Sequence, residues 1–244
     1  MKRYLLYLKY DGSQFHGWQV QPNGITVQEV MCQAAEKIFG QKIGITGCSR
    51  TDSGVHANMF CCHFDSPKEM AAKNIVAAFN SYLPRSVAVF DCKEVADDFH
   101  ARYSAKGKNY VYRILNSSVR DPFLEGYALR VSKELDVDFL NKAMQPILGK
   151  HDFSAFCAAG CSVEDHVRTI SHFNISRSGD IVEISVSADG FLYNMVRIIA
   201  GTTLDIANGK IDPDSLAEII NSKDRSKAGQ TAPAHGLYLN QVFY

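Results

Sequence analysis

The chain has 244 residues, enough for one large domain or two small ones, and either can bury a sizeable core. Twenty-six basic residues balance 26 acidic ones, which argues against a strongly basic nucleic-acid binder while leaving room for a local basic face. No apolar run is long enough to span a bilayer, and seven cysteines without a regular framework predict reduced thiols in a cytoplasmic protein.

The opening "MKRYLLYLKYDG" carries two basic residues and a short apolar run broken by Lys9 and Asp11. With no small-residue cleavage site it reads as a first β-strand over 3–10, not a signal peptide. "ITVQEVMCQAAEKIFG" predicts a helix, with Thr26 and Glu29 as a capping box and Gly40 as its end. "QKIGITGCS" predicts a second strand and "VHANMFCCHFD" a third. "PKEMAAKNIVAAFNSYLP" predicts a helix with Pro67 in its first turn and Pro84 beyond its end. "SVAVFDCKEV" is a fourth strand. The order is β-α-β-β-α-β, the ferredoxin-like unit.

The second half repeats that order. "KNYVYRILN" predicts a strand, and "DVDFLNKAMQPILG" a helix ending at Gly149. "VRTISHFNISRSGDIVEISVSA" predicts two strands joined through Ser178-Gly179-Asp180. "FLYNMVRIIAGTTLDIANG" predicts a long helix, "DPDSLAEIINS" a further one, and "GLYLNQVFY" a closing strand. The fold class is α+β, with two ferredoxin-like domains over 1–105 and 106–244. Without a flexible linker between them, their sheets are expected to pack or join, leaving a cleft.

Three stretches carry residues of chemical interest. "SRTDSGVHA" lies between two predicted strands. A turn alone accounts for Asp52, Ser53 and Gly54, but not for Arg50 two residues before the acid. The segment offers no second acid of the kind glycoside hydrolysis uses, so a lone Asp52 suits a nucleophile or a single proton shuttle. Loop packing explains His56 better than proton transfer. In "FLYNMVRIIAG", Arg197 interrupts an apolar helix. It is either a cation reaching out at the core edge or a buried charge needing a carboxylate, for which Asp52 is a candidate. Pairing would keep that acid ionised. In "KNYVYR", Tyr110 and Tyr112 share one strand face, where tyrosine either packs or stacks on a base. The basic run "ARYSAKGKNYVYR", with Arg102, Lys106, Lys108 and Arg113, follows the acidic "EVADDF". Cys157 and Cys161 lie near His151 and His166, but structural zinc sites favour tighter pairs such as CxxC, so idle thiols and no metal are expected.

"SRTDSGVHA", "FHARYSAKGKNYVYRI", "FLYNMVRIIAG" and "APAHGLYLNQV", together with "YDGSQFHGWQVQPNGITVQE", resemble the TruA family of tRNA pseudouridine synthases. The resemblance covers essentially the whole chain, with the motifs in family order. It implies a cofactor-free isomerase that converts uridines 38 to 40 of the tRNA anticodon arm to pseudouridine. It further implies a homodimer whose protomers each hold two ferredoxin-like domains flanking a basic cleft. Asp52 matches the catalytic aspartate, Tyr110 the tyrosine that stacks on the target base, and Arg197 the arginine that pairs with the aspartate. Arg50 matches an arginine that takes the place of the flipped nucleotide. Lys106, Lys108 and Arg168 are candidate RNA contacts. "CSVEDHVRTI" is more acidic than an RNA-facing segment should be, and the neutral total charge is low for the family. An RNA-binding module without catalysis and a glycosidic hydrolase using Asp52 are the competing readings.

Overall fold

A computed structural model describes all 244 residues, which divide into two compact units, Met1–Lys106 with Leu239–Tyr244, and Gly107–Tyr238. Ten strands and five α-helices make the chain α+β.

In the first unit β1 (Lys2–Tyr10) lies between β3 (His56–Ser66) and β4 (Val87–Val95), antiparallel to both. The two-residue β2 (Thr46–Gly47) pairs with β3 at His63 and Cys62. The neighbour order β4-β1-β3-β2 is therefore the ferredoxin-like one. Helix α1 (Val27–Phe39) begins where Thr26 Oγ1 accepts the Glu29 amide at 3.3 Å and ends at Gly40, whose φ is 71°. It buries Val27, Met31, Ala34 and Ala35. Helix α2 (Ala72–Tyr82) buries Ile75 and Phe79, and Phe79 meets the ring of Phe64 at 5.6 Å. Truncating a buried phenylalanine of this kind costs about 3–5 kcal/mol. The last residues of the chain return to this unit, where Asn58 donates to Asn240 and the Tyr244 hydroxyl to the carbonyl of Ala101.

The second unit holds β5 (Gly107–Asn116), β6 (Leu129–Val131), α3 (Val137–Met144), β7 (Gly149–Asp152), β8 (Val167–Ser178), β9 (Ile181–Ala188), α4 (Met195–Ala207) and α5 (Leu216–Ser222). Strands β5, β9, β8 and β7 neighbour one another in that order, all antiparallel, and β6 runs parallel to the end of β5. The hairpin between β8 and β9 turns at Gly179, with φ 58°. The closing strand β10 spans Leu237–Phe243.

Three local expectations need correction. Pro67 lies outside α2, which starts at Ala72. The Tyr4 hydroxyl on β1 accepts from the Met70 amide and donates to its carbonyl, holding residues just before the helix in a non-helical form. The helix over 136–149 stops at Met144 and continues only as a 3-10 turn over Gln145–Ile147. Pro146 has no amide to extend it, and Gly149, with φ 98°, starts β7 instead. The second strand shrinks to the two residues Thr46–Gly47, and Gln28 Nε2 donates to the carbonyl of Ile45 just before it.

Candidate active site

The stretch 48–55 leaves β2 and enters β3, and a framework of backbone contacts holds it. The Val55 amide donates to the carbonyl of Asp52 at 3.2 Å, closing a turn that Gly54 completes with φ 78°. Trp18 donates its amide to the carbonyl of Thr51 at 3.2 Å, and Gly54 donates to the carbonyl of Phe15 at 3.3 Å. The Thr51 hydroxyl is buried against the Tyr10 hydroxyl at 2.9 Å. The acid thus sits half-buried on a turn fixed from both sides.

Two glycines permit this approach. A Cβ on Gly12 would lie 2.0 Å from the carbonyl oxygen of Val55, and one on Gly17 would lie 2.3 Å from that of Thr51. Gly17 also has φ 81°, where side chains are disfavoured. His56 is buried, and its Nδ1 accepts from the Gly12 amide at 3.0 Å. The Asp11 carboxylate lies 3.3 Å from the same nitrogen. The glycines of "YDGSQFHGW" are structural supports of this turn that the sequence does not single out.

Arg50 is exposed and lines a shallow cleft of about 220 Å³ with Trp18, His100, Arg102 and Tyr103. The rings of His100 and Tyr103 lie 4.3 Å apart, and the Arg102 guanidinium sits 5.7 Å from the Tyr103 ring. Two cations beside the exposed Tyr103 ring suit a nucleic-acid backbone and its bases. Lys106 is exposed just before β5, its amide donating to the carbonyl of Phe243.

In the second unit Lys108, Tyr110 and Tyr112 alternate along β5 opposite Ala188, Val186 and Ile184 of β9. Tyr110 is buried and meets the Phe191 ring edge-on, with centroids 5.0 Å apart. Tyr112 is fully buried and donates its hydroxyl to the carbonyl of Pro233 at 2.8 Å. Burial pushes its phenol well above the usual value, with the nearby Arg197 charge opposing, so it stays a donor. Arg168 on β8 is half-buried, donating to the carbonyl of Asp165 at 3.0 Å.

Arg197 rises from α4 among Met195, Val196, Ile198 and Ile199, all buried. Its guanidinium is partly held: Nε donates to the carbonyl of Ala232 at 2.7 Å and an Nη to Oδ1 of Asn194 at 2.8 Å. Asn194 has φ 59°, a left-handed backbone at the start of the helix, and its carbonyl accepts from Ile198. The strap over 229–233 is pressed against α4. The Gly229 amide donates to the Thr202 hydroxyl, and a Cβ on Gly201 would lie 1.7 Å from the carbonyl oxygen of Gln230. Asn194 and Ala232, which sequence reasoning did not single out, are thus the residues that aim Arg197. The unusual φ of Asn194 has no signature in the sequence beyond its residue type.

Asp52 sits on a fixed turn of the first unit, and in the second unit Tyr110 packs against Phe191 while Arg197 is held by Ala232 and Asn194. A family model described as tRNA pseudouridine synthase matches residues 7–104 and 143–244. The chain is 43% identical over its full length to tRNA pseudouridine synthase A of Thermoanaerobacter sp. strain X514, all of which is covered. It is 45% identical over its full length to tRNA pseudouridine synthase A 2 of Clostridium perfringens strain 13, again with the whole relative covered. It is also 45% identical over 238 residues to tRNA pseudouridine synthase A of Halalkalibacterium halodurans, 97% of this chain and 90% of the relative. With the glycine-clamped aspartate, the chain belongs to the tRNA pseudouridine synthase family, isomerases acting on tRNA uridine.

Proposed function

We propose that the chain isomerises uridines 38 to 40 in the anticodon arm of tRNA, with Asp52 as the reacting carboxylate. The observation that carries the assignment is the turn of Asp52, held by Gly12 and Gly17 at distances that allow no side chain. A group that must meet one ribose or base atom gains from such fixed placement.

The reaction breaks the N1–C1′ bond of uridine, forms a C5–C1′ bond, releases the C5 proton and leaves N1 carrying a proton taken up in its place. Nothing is oxidised, and no other group is lost. The uracil has to leave the stack, as in other enzymes that act on bases. Asp52 attacks C1′, assists glycal formation, or adds to C6. Asp52 or the Tyr110 phenol takes the C5 proton. Tyr110 stacks on the base, Arg197 keeps Asp52 ionised, and Arg50 occupies the place the nucleotide vacates. Lys106, Lys108 and Arg168 contact the RNA backbone. The rings and cations around Arg50, namely His100, Arg102 and Tyr103, support an RNA-facing role for that surface. The chain works in the cytoplasm as a homodimer without a membrane; no helix is long and apolar enough to cross one.

The test uses tRNA tritiated at uracil C5. The protein releases tritium, and both Asp52→Asn and Asp52→Ala stop release while leaving tRNA binding largely intact. Binding without release would leave only an RNA-binding module, and free uracil in the products would point to a hydrolase. Normal turnover by Asp52→Ala would remove the role assigned to that residue.

A further inference from the structure

The segment from Cys157 to His166 takes part in none of the steps above. It leaves the 3-10 turn Ser154–Phe156 and returns to β8 at Val167. Its base is closed, because the Phe153 amide donates to the carbonyl of His166 at 3.1 Å and Asp152 pairs with Val167. The Ala158 amide is anchored on the carbonyl of Tyr193 at 3.1 Å. So tied, the loop brings the Cys157 sulfur, the Cys161 sulfur and a ring nitrogen of His166 within 4.8 Å of one another.

We infer that Cys157, Cys161 and His166 bind Zn²⁺ through two thiolates and one imidazole, with water or another small ligand in the fourth position. Zn–S bonds of about 2.3 Å at a tetrahedral angle put two sulfurs about 3.8 Å apart, so the donors need close by at most about 1 Å. Two thiolates and an imidazole select a soft or borderline ion over Mg²⁺ or Ca²⁺, which take oxygen. The spacing C-x3-C-x4-H argued for idle thiols, yet the fold of the loop, not the number of residues between ligands, sets the distances.

The His166 ring is oriented at both nitrogens. Its Nε2 lies 3.0 Å from the carbonyl of Val163, and its Nδ1 lies 2.9 Å from Oγ of Ser154. The Ser154 hydroxyl donates to Oδ1 of Asp152 at 2.6 Å, so toward the ring it accepts. Both nitrogens therefore face acceptors. The ring gives up one of these contacts to the ion, and the other becomes the outer hydrogen bond that orients a metal-bound imidazole. Cys157 is buried on the core side, whereas Cys161 is partly exposed and leaves a path of entry. Each thiol loses its proton to solvent as the ion binds.

The test is a Co²⁺ titration of the full-length protein, reduced and stripped with a chelator, followed by displacement with Zn²⁺. The expected result is one Co²⁺ per chain with a thiolate-to-cobalt charge-transfer band that Zn²⁺ abolishes. Cys161→Ser and His166→Asn each lose the band, and Cys32→Ser keeps it. Cys161 is the chosen ligand because it is less buried than Cys157, and circular dichroism of each variant confirms its fold. Zn²⁺ also slows proteolysis within 157–166. No band, or a band that survives both Cys161→Ser and His166→Asn, overturns the site.

Discussion

Replacing Gly17 with alanine separates placement of Asp52 from general stability. Gly17 and Gly40 share a positive φ of similar size, 81° and 71°. An alanine in that region costs about 1–2 kcal/mol wherever it occurs. At Gly40 the new Cβ meets nothing within 4 Å, so that cost stands alone. At Gly17 it would lie 2.3 Å from the carbonyl oxygen of Thr51 and 3.2 Å from the carbonyl carbon of Asp52. An ordinary carbon–oxygen contact is about 3.3 Å or more, so the turn has to retreat by about 1 Å. The same shift strains the bond from the Trp18 amide to Thr51. A reacting group displaced by that much loses about 100-fold in rate. Urea unfolding gives the stability of each variant, and tritium release under saturating tRNA gives the turnover. Gly40→Ala keeps wild-type turnover at a small loss of stability, while Gly17→Ala loses about two orders of magnitude with folded protein. If Gly17→Ala turned over like Gly40→Ala, the placement of the turn would not limit the reaction.

Arg197→Lys keeps the charge but cannot reach both Ala232 and Asn194 with one ammonium. It should destabilise by about 1–3 kcal/mol and lower turnover more than tRNA affinity, measured by urea unfolding and single-turnover release. Equal turnover would mean that charge alone suffices. Tyr4→Phe leaves the Met70 amide and carbonyl without their shared hydroxyl, at a cost of about 1–3 kcal/mol in the same unfolding assay. A loss well below that would show that this contact does not hold the chain ahead of α2. Burial, aided by the His100 and Arg3 charges, lowers His63 from 6.5 to about 4, and its Nδ1 accepts from the Ala101 amide. Between those values the unfolded chain binds the extra proton, so this part of the stability is intact above pH 6.5 and fades as pH falls toward 4. Histidine NMR titration should find a midpoint near 4 for His63, and a midpoint above 6 would contradict the burial argument.

Periodicity made most elements legible, since the amphipathic runs of α1 and β9 admit few other readings. Failures came where a distant group meets the backbone. Tyr4 on β1 grips Met70, and Gln28 on α1 donates to the carbonyl of Ile45. Neither contact exists until the sheet has formed, so no local pattern announces it. The short β6 and β7 were missed for a related reason. Their three and four residues are too few for an alternation, and pairing to β5 and β8 defines them.

The site divides along the same line. Asp52 stood out because an acid beside an arginine and a glycine exceeds what a turn requires. Gly12, Gly17, Asn194 and Ala232 did not, because what they supply is an absence of bulk, a rare φ or a carbonyl. Such contributions are invisible in residue type and plain in distance. Cys157, Cys161 and His166 make the same point from the other direction. Their spacing suggested idle thiols, and the pairing of β7 with β8 below the loop brought them together. In each case residue type marks the candidate group, while the close approach of remote backbone decides where it sits. Substitutions at the supporting positions should therefore reveal more about this protein than further changes at Asp52.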